Sequence, residues 1–254
     1  MTELLKIEGL HKSFGGLHVS RNINLVLNAG DRVALIGPNG AGKTTFINLV
    51  TGALDATSGR ITLVGEDVTR MKTADRVKRG LVRSFQVTRL FRALSVGDNV
   101  ALAVLQRQRR TKRLFANARR MEDTEAEVAD LLGQLGIGDL IDRRVAEISY
   151  GQQRLLEIAL VLALRPKVLL LDEPAAGVPN DESPRILEAM KRLPPDIAVL
   201  MIEHDMDLVF RFARRVVVLA AGETIFEGRP EEVSAHPKVR EAYLGSYADG
   251  RGAS

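Results

Sequence analysis

The sequence predicts an α/β fold: a mixed, largely parallel sheet with flanking helices, an antiparallel β subdomain, and an inserted α-helical subdomain. Three observations carry this expectation. Residues 33–52, VALIGPNGAGKTTFINLVTG, read as strand, glycine loop and helix. The continuous apolar runs Val168 to Leu171 and Ala198 to Ile202 have the texture of strands buried on both faces, as parallel sheets require. From about residue 87 to 163 the apolar spacing changes to a helical period.

Along the chain, Leu5, Ile7 and Leu10 begin an alternating strand and Ile23 to Leu27 forms another, with the turn Asn28 to Asp31 leading into the glycine-loop strand. Between them, Phe14 reads on its own as core or as a platform for a stacked base. The loop fits G-x-x-x-x-G-K-[ST], and Gly37, Pro38, Asn39, Gly40, Ala41, Gly42, Lys43, Thr44 and Thr45 make up a cradle for a triphosphate. Its glycines let successive N–H groups turn toward an anion, the following helix sets its positive dipole end behind them, and Lys43 adds a full charge. Thr44 is placed to offer its hydroxyl to Mg²⁺. A turn at Thr57 to Gly59, a strand from Arg60 to Val64, a turn at Gly65 to Asp67, a helical run near Ala74 to Arg79 and a strand from Leu81 to Phe85 then bring Gln86 to a strand end.

In the helical stretch, Val96, Val100, Leu102 and Leu105 form one segment and Val128, Leu131, Leu132 and Leu135 another, closed by Gly136 and Gly138. The basic run Arg107 to Arg120 reads as a solvated face or as a contact for lipid headgroups. Ser149 to Gln153 stands at the mouth of the helix carrying Leu155, Ile158, Ala159 and Leu162, as a simple cap or a second anion-facing N-terminus.

The apolar strand at 168–171 ends in Asp172, Glu173 and Pro174. Two carboxylates at the end of a buried strand are costly unless they meet a cation or cap a helix. Alternation along the strand gives them separate jobs, Asp172 as metal ligand and Glu173 as base or orienter for an attacking water. A helix from Ser183 to Arg192 and the strand Ala198 to Ile202 follow, and His204 is the one histidine beyond the carboxyl end of a strand. His11, His18 and His236 read as surface residues. A helix to Ala213, strands Val216 to Leu219 and Thr224 to Glu227, and a helical tail through Tyr243 complete the chain.

Composition sets outer limits. With 254 residues, 45% hydrophobic and 27% charged, the chain is expected to be globular, which excludes disordered and fibrous classes. The absence of cysteine excludes disulfides, zinc–thiolate sites and thiol nucleophiles. No apolar run approaches the roughly 20 residues a bilayer span needs, and MTELLKIEGL has no signal-peptide pattern. A net charge of +4 is compatible with nucleic acid, anionic lipid or plain solubility. The basic stretch lacks the interleaved aromatics of a nucleic-acid reader.

Taken in order, Phe14, GPNGAGKTT, Gln86, the helical insert, ISYGQQ, VLLLDEP and His204 resemble the nucleotide-binding subunits of ATP-binding cassette (ABC) transporters, over about residues 3–245. The resemblance implies a P-loop NTPase core at 1–86 and 164–230, a helical subdomain at 87–163, a tail at 231–245 and a frayed terminus at 246–254. It implies ATP and Mg²⁺ as cofactors, with Phe14 stacking on adenine, Lys43 on the β and γ phosphates, and Thr44, Gln86 and Asp172 around the metal. Glu173 would be the general base and His204 a sensor of the γ-phosphate. Ser149 and Gly151, with Gln152 beside them, would meet the γ-phosphate held by a second ABC ATPase subunit, identical or a sister chain, in a head-to-tail dimer. Transmembrane permease subunits would dock near Gln86 to Leu94 through Leu90 and Phe91, on the cytoplasmic face of the plasma membrane. A periplasmic or extracellular solute-binding protein would take part indirectly, and no nucleic acid is expected. Tyr150, SFQVTRLFRALSVGDNV, AAG, IEHDM, EGRPEEV and HPKVREAYLG are similar to importer ATPases serving branched-chain and other hydrophobic amino acids, and to urea and carboxylate systems. Pro179 preceding Asn180 departs from that pattern. The competing readings are a cassette ATPase acting on nucleic acid or ribosomes, and an export ATPase of the same fold.

Overall fold

A computed structural model describes residues 2–84, 90–110, 122–179 and 181–249. The chain divides into two units, one of residues 1–83, 167–173 and 195–254, the other of residues 84–166 and 174–194.

The first unit holds two sheets. Strands β1 (Glu3–Phe14), β2 (Leu17–Asn28), β4 (Ser58–Leu63) and β5 (Glu66–Asp67) form an antiparallel sheet in the order β2-β1-β4-β5. The β1–β2 hairpin runs well beyond the strands expected from alternation and pairs as far as Phe14 with Leu17. Its register shifts after Ile7, Leu10 and Lys12, and Gly9 sits at φ 58, so bulges interrupt the period-two pattern that would have marked the full strand.

The second sheet has the order β10-β9-β3-β8-β7-β6, built from β3 (Arg32–Ile36), β6 (Leu81–Arg83), β7 (Val168–Asp172), β8 (Ala198–Ile202), β9 (Arg215–Ala220) and β10 (Glu223–Gly228). Only the edge strand β10 runs antiparallel to its neighbour. Every apolar side chain of β7 and β8 is buried, which is why these strands read as unbroken apolar runs. Parallel pairing of Leu35 with Ile202, and of Ile202 with Asp172, brings the carboxyl ends of β3, β8 and β7 side by side. Whatever follows those three strands therefore converges on one edge of the sheet.

Helix α1 (Lys43–Thr51) leaves β3 through the glycine loop and buries Phe46, Ile47, Leu49 and Val50. Gly52 ends it in a left-handed turn, φ 74, where the carbonyl oxygen of Met71 stands 2.7 Å from the place a Cβ would occupy. Arg76, on α2 (Thr73–Lys78), is buried against this end. Its guanidinium donates to the carbonyls of Leu49 at 2.8 Å, Val50 at 2.6 Å, Thr69 at 2.9 Å and Met71 at 3.0 Å. A cation thus satisfies the orphan carbonyls at the negative end of the helix dipole.

The second unit packs α3 (Val96–Arg107), α4 (Glu122–Gln134), α5 (Tyr150–Ala163) and α6 (Ser183–Lys191), so α6 groups with the helices of the insert. Val100, Val104, Val128, Leu132, Leu156 and Ile186 are among its fully buried side chains. Arg107 clamps three of these helices: it makes two 2.7 Å bonds to Glu127 of α4 and one of 2.7 Å to the carbonyl of Ala163 at the end of α5. The remaining helices, α7 (Met206–Phe212) and α8 (Pro237–Asp249), belong to the first unit.

Candidate active site

Helix α1 starts without a cap. Its N-cap is Gly42, φ 99, with no side-chain hydrogen bond and no acidic residue in the first turn. The first N–H groups are therefore left for an external acceptor, with the dipole behind them. Gly42 has to be glycine, since the Val19 carbonyl oxygen lies 2.9 Å from the position of a Cβ and the backbone is left-handed. Thr44 is exposed in the first turn, and Gly40 is exposed at the crest of the loop with open space around it.

Lys43 folds back over this loop, donating to the carbonyls of Gly37 at 2.6 Å and Pro38 at 3.0 Å. Burial pushes its ammonium below the ordinary lysine pKa, and the Glu173 carboxylate partly opposes that shift. An uncapped helix start, a half-buried ammonium and left-handed glycines form a cradle that fits a polyphosphate.

Asp172 closes β7 with little exposure and pairs with the guanidinium of Arg83 on β6, which also donates to Asn48 Oδ1 of α1 at 2.9 Å. Arg83 thereby ties the carboxylate to α1. Glu173 follows in a left-handed conformation, φ 47, with its N–H donated to the carbonyl of Ile202 at 3.0 Å. A left-handed non-glycine residue costs about 1–3 kcal/mol, and such strain concentrates at functional positions. The conformation leaves its carboxylate one-third exposed and 3.7 Å from Nδ1 of His204.

His204 is 72% exposed on its side-chain atoms, while its backbone N–H is held at 3.0 Å by Oε2 of Glu203. Glu203 itself is buried and accepts from the N–H of Asp205 at 3.4 Å. A buried carboxylate accepting from the backbone fixes the loop that carries the histidine. The oxygen donors Thr44 and Asp172 are of the kind Mg²⁺ selects, so the residues present fit that ion. Gln86, the third expected ligand, lies outside the described residues, as does Asn180.

Phe14 stands at the tip of the β1–β2 hairpin, 51% exposed, with the Lys12 ammonium 4.9 Å from its ring centroid. Core packing, the commoner fate of a lone phenylalanine, is thus not its role.

The second anion-facing helix start belongs to the second unit and is built differently. Ser149 caps α5 by accepting from the N–H of Gln152 at 3.2 Å, and Gln152 Oε1 accepts from the N–H of Ser149 at 2.9 Å, a complete capping box. The N–H of Gly151 donates to Oε2 of Glu182 at 2.9 Å. Tyr150 is exposed, and Arg154 donates to its hydroxyl at 2.7 Å.

Three residues that sequence reasoning gave no role complete these arrangements: Arg83, Glu203 and Glu182. Arg83 had a signal, being a charge inside the short apolar strand LVR that leads toward the site. Glu203 also had one, as the first polar residue after a buried strand. Glu182 had none, because its partner Gly151 is 31 residues away in sequence.

Comparison with known proteins matches these features to one family. A family model described as "ABC transporter" matches residues 20–176, and one described as "Branched-chain amino acid ATP-binding cassette transporter" matches residues 223–249. The chain is 37% identical over 251 residues to the high-affinity branched-chain amino acid transport ATP-binding protein BraF of Pseudomonas aeruginosa, covering 95% of this chain and 98% of that one. It is 39% identical, over the same shares, to the high-affinity branched-chain amino acid transport ATP-binding protein LivG of Salmonella typhimurium. Among solved structures, the ADP conformation of an ATP-binding cassette of an ABC transporter superposes with a TM-score of 0.83 at 32% identity, covering 96% of this chain and all of that one.

Proposed function

This chain belongs to the ABC transporter ATP-binding family, and from that premise we propose that it is the ATP-hydrolysing subunit of an importer for branched-chain amino acids or a related small solute. The observation that carries the reading is the uncapped start of α1, with Lys43 folded over the glycine loop that follows β3 and the ends of β3, β8 and β7 brought side by side. The family model over 223–249 and the two named relatives support the branched-chain assignment.

In this reading the loop N–H groups and Lys43 bind the β and γ phosphates, and the exposed Phe14 ring takes the adenine. Thr44, Asp172 and Gln86 would hold Mg²⁺, which would supply positive charge to neutralise the phosphate oxygens. Arg83, which pairs with Asp172 and donates to Asn48, positions that carboxylate beside α1. Glu173 accepts the proton of the attacking water, and His204, on the loop fixed by Glu203, contacts the γ-phosphate. Ser149 and Gly151 of a second protomer, identical or a sister chain, complete the site from the opposite side.

A one-cassette chain over 1–245 then acts through others. Among the described residues no helix is long and apolar enough to cross a membrane. As a relative of transport ATP-binding proteins, the chain would work at the cytoplasmic face, attached to transmembrane permease subunits. Phe91, 59% exposed, suits that contact because buried Asn99 holds its turn, accepting from the N–H of Phe91 at 2.9 Å and donating to its carbonyl at 3.2 Å. Leu90 would extend the same contact.

Glu173→Gln tests the chemistry. ATP binding, followed with a fluorescent analogue, should stay within about twofold, while phosphate release falls roughly 10²–10⁴-fold. An unchanged hydrolysis rate would remove Glu173 from the mechanism. Purification from its native membrane tests the setting: permease subunits should accompany the chain, whereas ribosomes or DNA without membrane subunits would overturn the transport reading.

A further inference from the structure

The N–H of Gly151 is the group that a γ-phosphate on a second protomer would need, and it is already in use. Glu182 accepts from it at 2.9 Å, and the carboxylate oxygen stands 2.2 Å from where a Cβ on Gly151 would be. No phosphate oxygen can reach that N–H while the carboxylate is there. The positive end of α5 therefore already holds a full negative charge from its own unit.

Glu182 is also poised to leave. It precedes α6 as the N-cap residue, its side chain is only part-buried, and it makes no cap bond to α6 itself. Its N–H and that of Ser183 both donate to the carbonyl of Pro179, at 2.9 and 3.0 Å, so one turn sets where the carboxylate points. The capping box is made between Ser149 and Gln152 and includes no atom of Glu182, which leaves it intact when the carboxylate departs.

We propose that Glu182 is an internal competitor for the γ-phosphate at Gly151, a carboxylate that keeps the start of α5 closed until an ATP-loaded partner displaces it. This rests on the split-site reading given above. Two anions cannot share one donor, and a carboxylate next to a triphosphate adds repulsion. Glu182 thus sets the ATP concentration at which two protomers close, and after hydrolysis it recaptures the N–H and favours separation.

The test uses the full chain in the Glu173→Gln background, where hydrolysis is expected to be slow enough for ATP to stay bound. Sedimentation measures dimer against ATP concentration, with and without Glu182→Gln. Loss of a charged competing hydrogen bond should lower the ATP midpoint about tenfold. Glu182→Ala, which removes the carboxylate altogether, should shift it the same way. A midpoint that is unchanged or raised in both variants overturns the proposal and leaves Glu182 as a fixed brace. If Glu173→Gln never dimerises with ATP, the split site between identical copies fails instead. A second measurement then decides for Glu182 alone: the amide resonance of Gly151, labelled selectively in the Tyr150–Gly151 pair, is titrated with inorganic phosphate. Saturable movement in Glu182→Gln and none in the parent supports competition, whereas no movement in either overturns it.

Discussion

Two helix starts in this chain face the same electrostatic situation and resolve it in opposite ways. The nine-residue α1 begins at Gly42 with no side-chain cap and no acidic residue in its first turn. The fourteen-residue α5 begins with a complete capping box and, in addition, a borrowed carboxylate on the N–H of Gly151. Each N-terminus carries roughly half a positive charge and several unpaired N–H groups. In the function proposed above, one end is left open for the nucleotide and the other, satisfied internally, is freed when a partner displaces Glu182. An exposed N-terminus without a cap is destabilising by itself, so the open end must be supported from elsewhere in its unit.

That support is Arg76, and removing it should have the largest effect on the contrast. Arg76→Met takes the guanidinium away from the carbonyls of Val50, Thr69 and Met71 and leaves that of Leu49 only the N–H of Gly52 at 3.2 Å. The expected loss is about 3–5 kcal/mol of stability in the first unit. Hydrogen exchange read by segment should show residues 43–52 losing protection while 150–163 keep theirs. Equal loss in both segments would mean that α1 draws no special support from this guanidinium.

The closed end should respond less. Ser149→Ala removes the acceptor for the N–H of Gln152 and breaks the capping box, a loss of about 1 kcal/mol. Faster amide exchange should be confined to the first turn of α5, with Gly151 still protected by Glu182. Exchange at Gly151 rising as much as at Gln152 would show that the carboxylate depends on the cap, and the two devices would then count as one.

How much of this was legible in the sequence follows from how far apart the interacting groups lie. The cradle could be read because a local motif fixes local backbone: glycine loop, Lys43 and the start of α1 lie within eight residues. The buried strands β7 and β8 were plain because both faces are covered, so that every side chain but the closing Asp172 is apolar. The long β1–β2 hairpin was not, since bulges near Gly9 break the alternation. His236, read as a surface residue, is half-buried with its ring centroid 5.0 Å from that of Phe226 on β10, a contact that appears only once the tail returns to the sheet. Arg76, Glu203 and Glu182 act on backbone groups, and a sequence shows which side chains are present but not which N–H or carbonyl groups lack partners.

The smallest expected effect concerns the frame that holds α5 in place. Glu127 of α4 accepts two bonds from Arg107, and Arg165 lies 3.1 Å from the same carboxylate. The Arg107 hydrogen bonds, outweighing the opposing effect of partial burial, hold the Glu127 carboxyl below its ordinary pKa of 4.5. As pH falls, the unfolded chain takes up this proton before the folded one does. The stabilisation is therefore whole above about pH 4.5 and is lost as pH drops through the lower folded value. Both Arg107 and Glu127 keep some exposure, so Glu127→Gln should cost only about 0.5 kcal/mol at neutral pH. The informative quantity is the slope: between pH 5 and 3, the stability of the variant should fall less steeply than that of the parent in urea titrations. Parallel slopes would mean that the acid sensitivity of the second unit comes from other carboxylates, and that Arg107 holds α5 through the carbonyl of Ala163 alone.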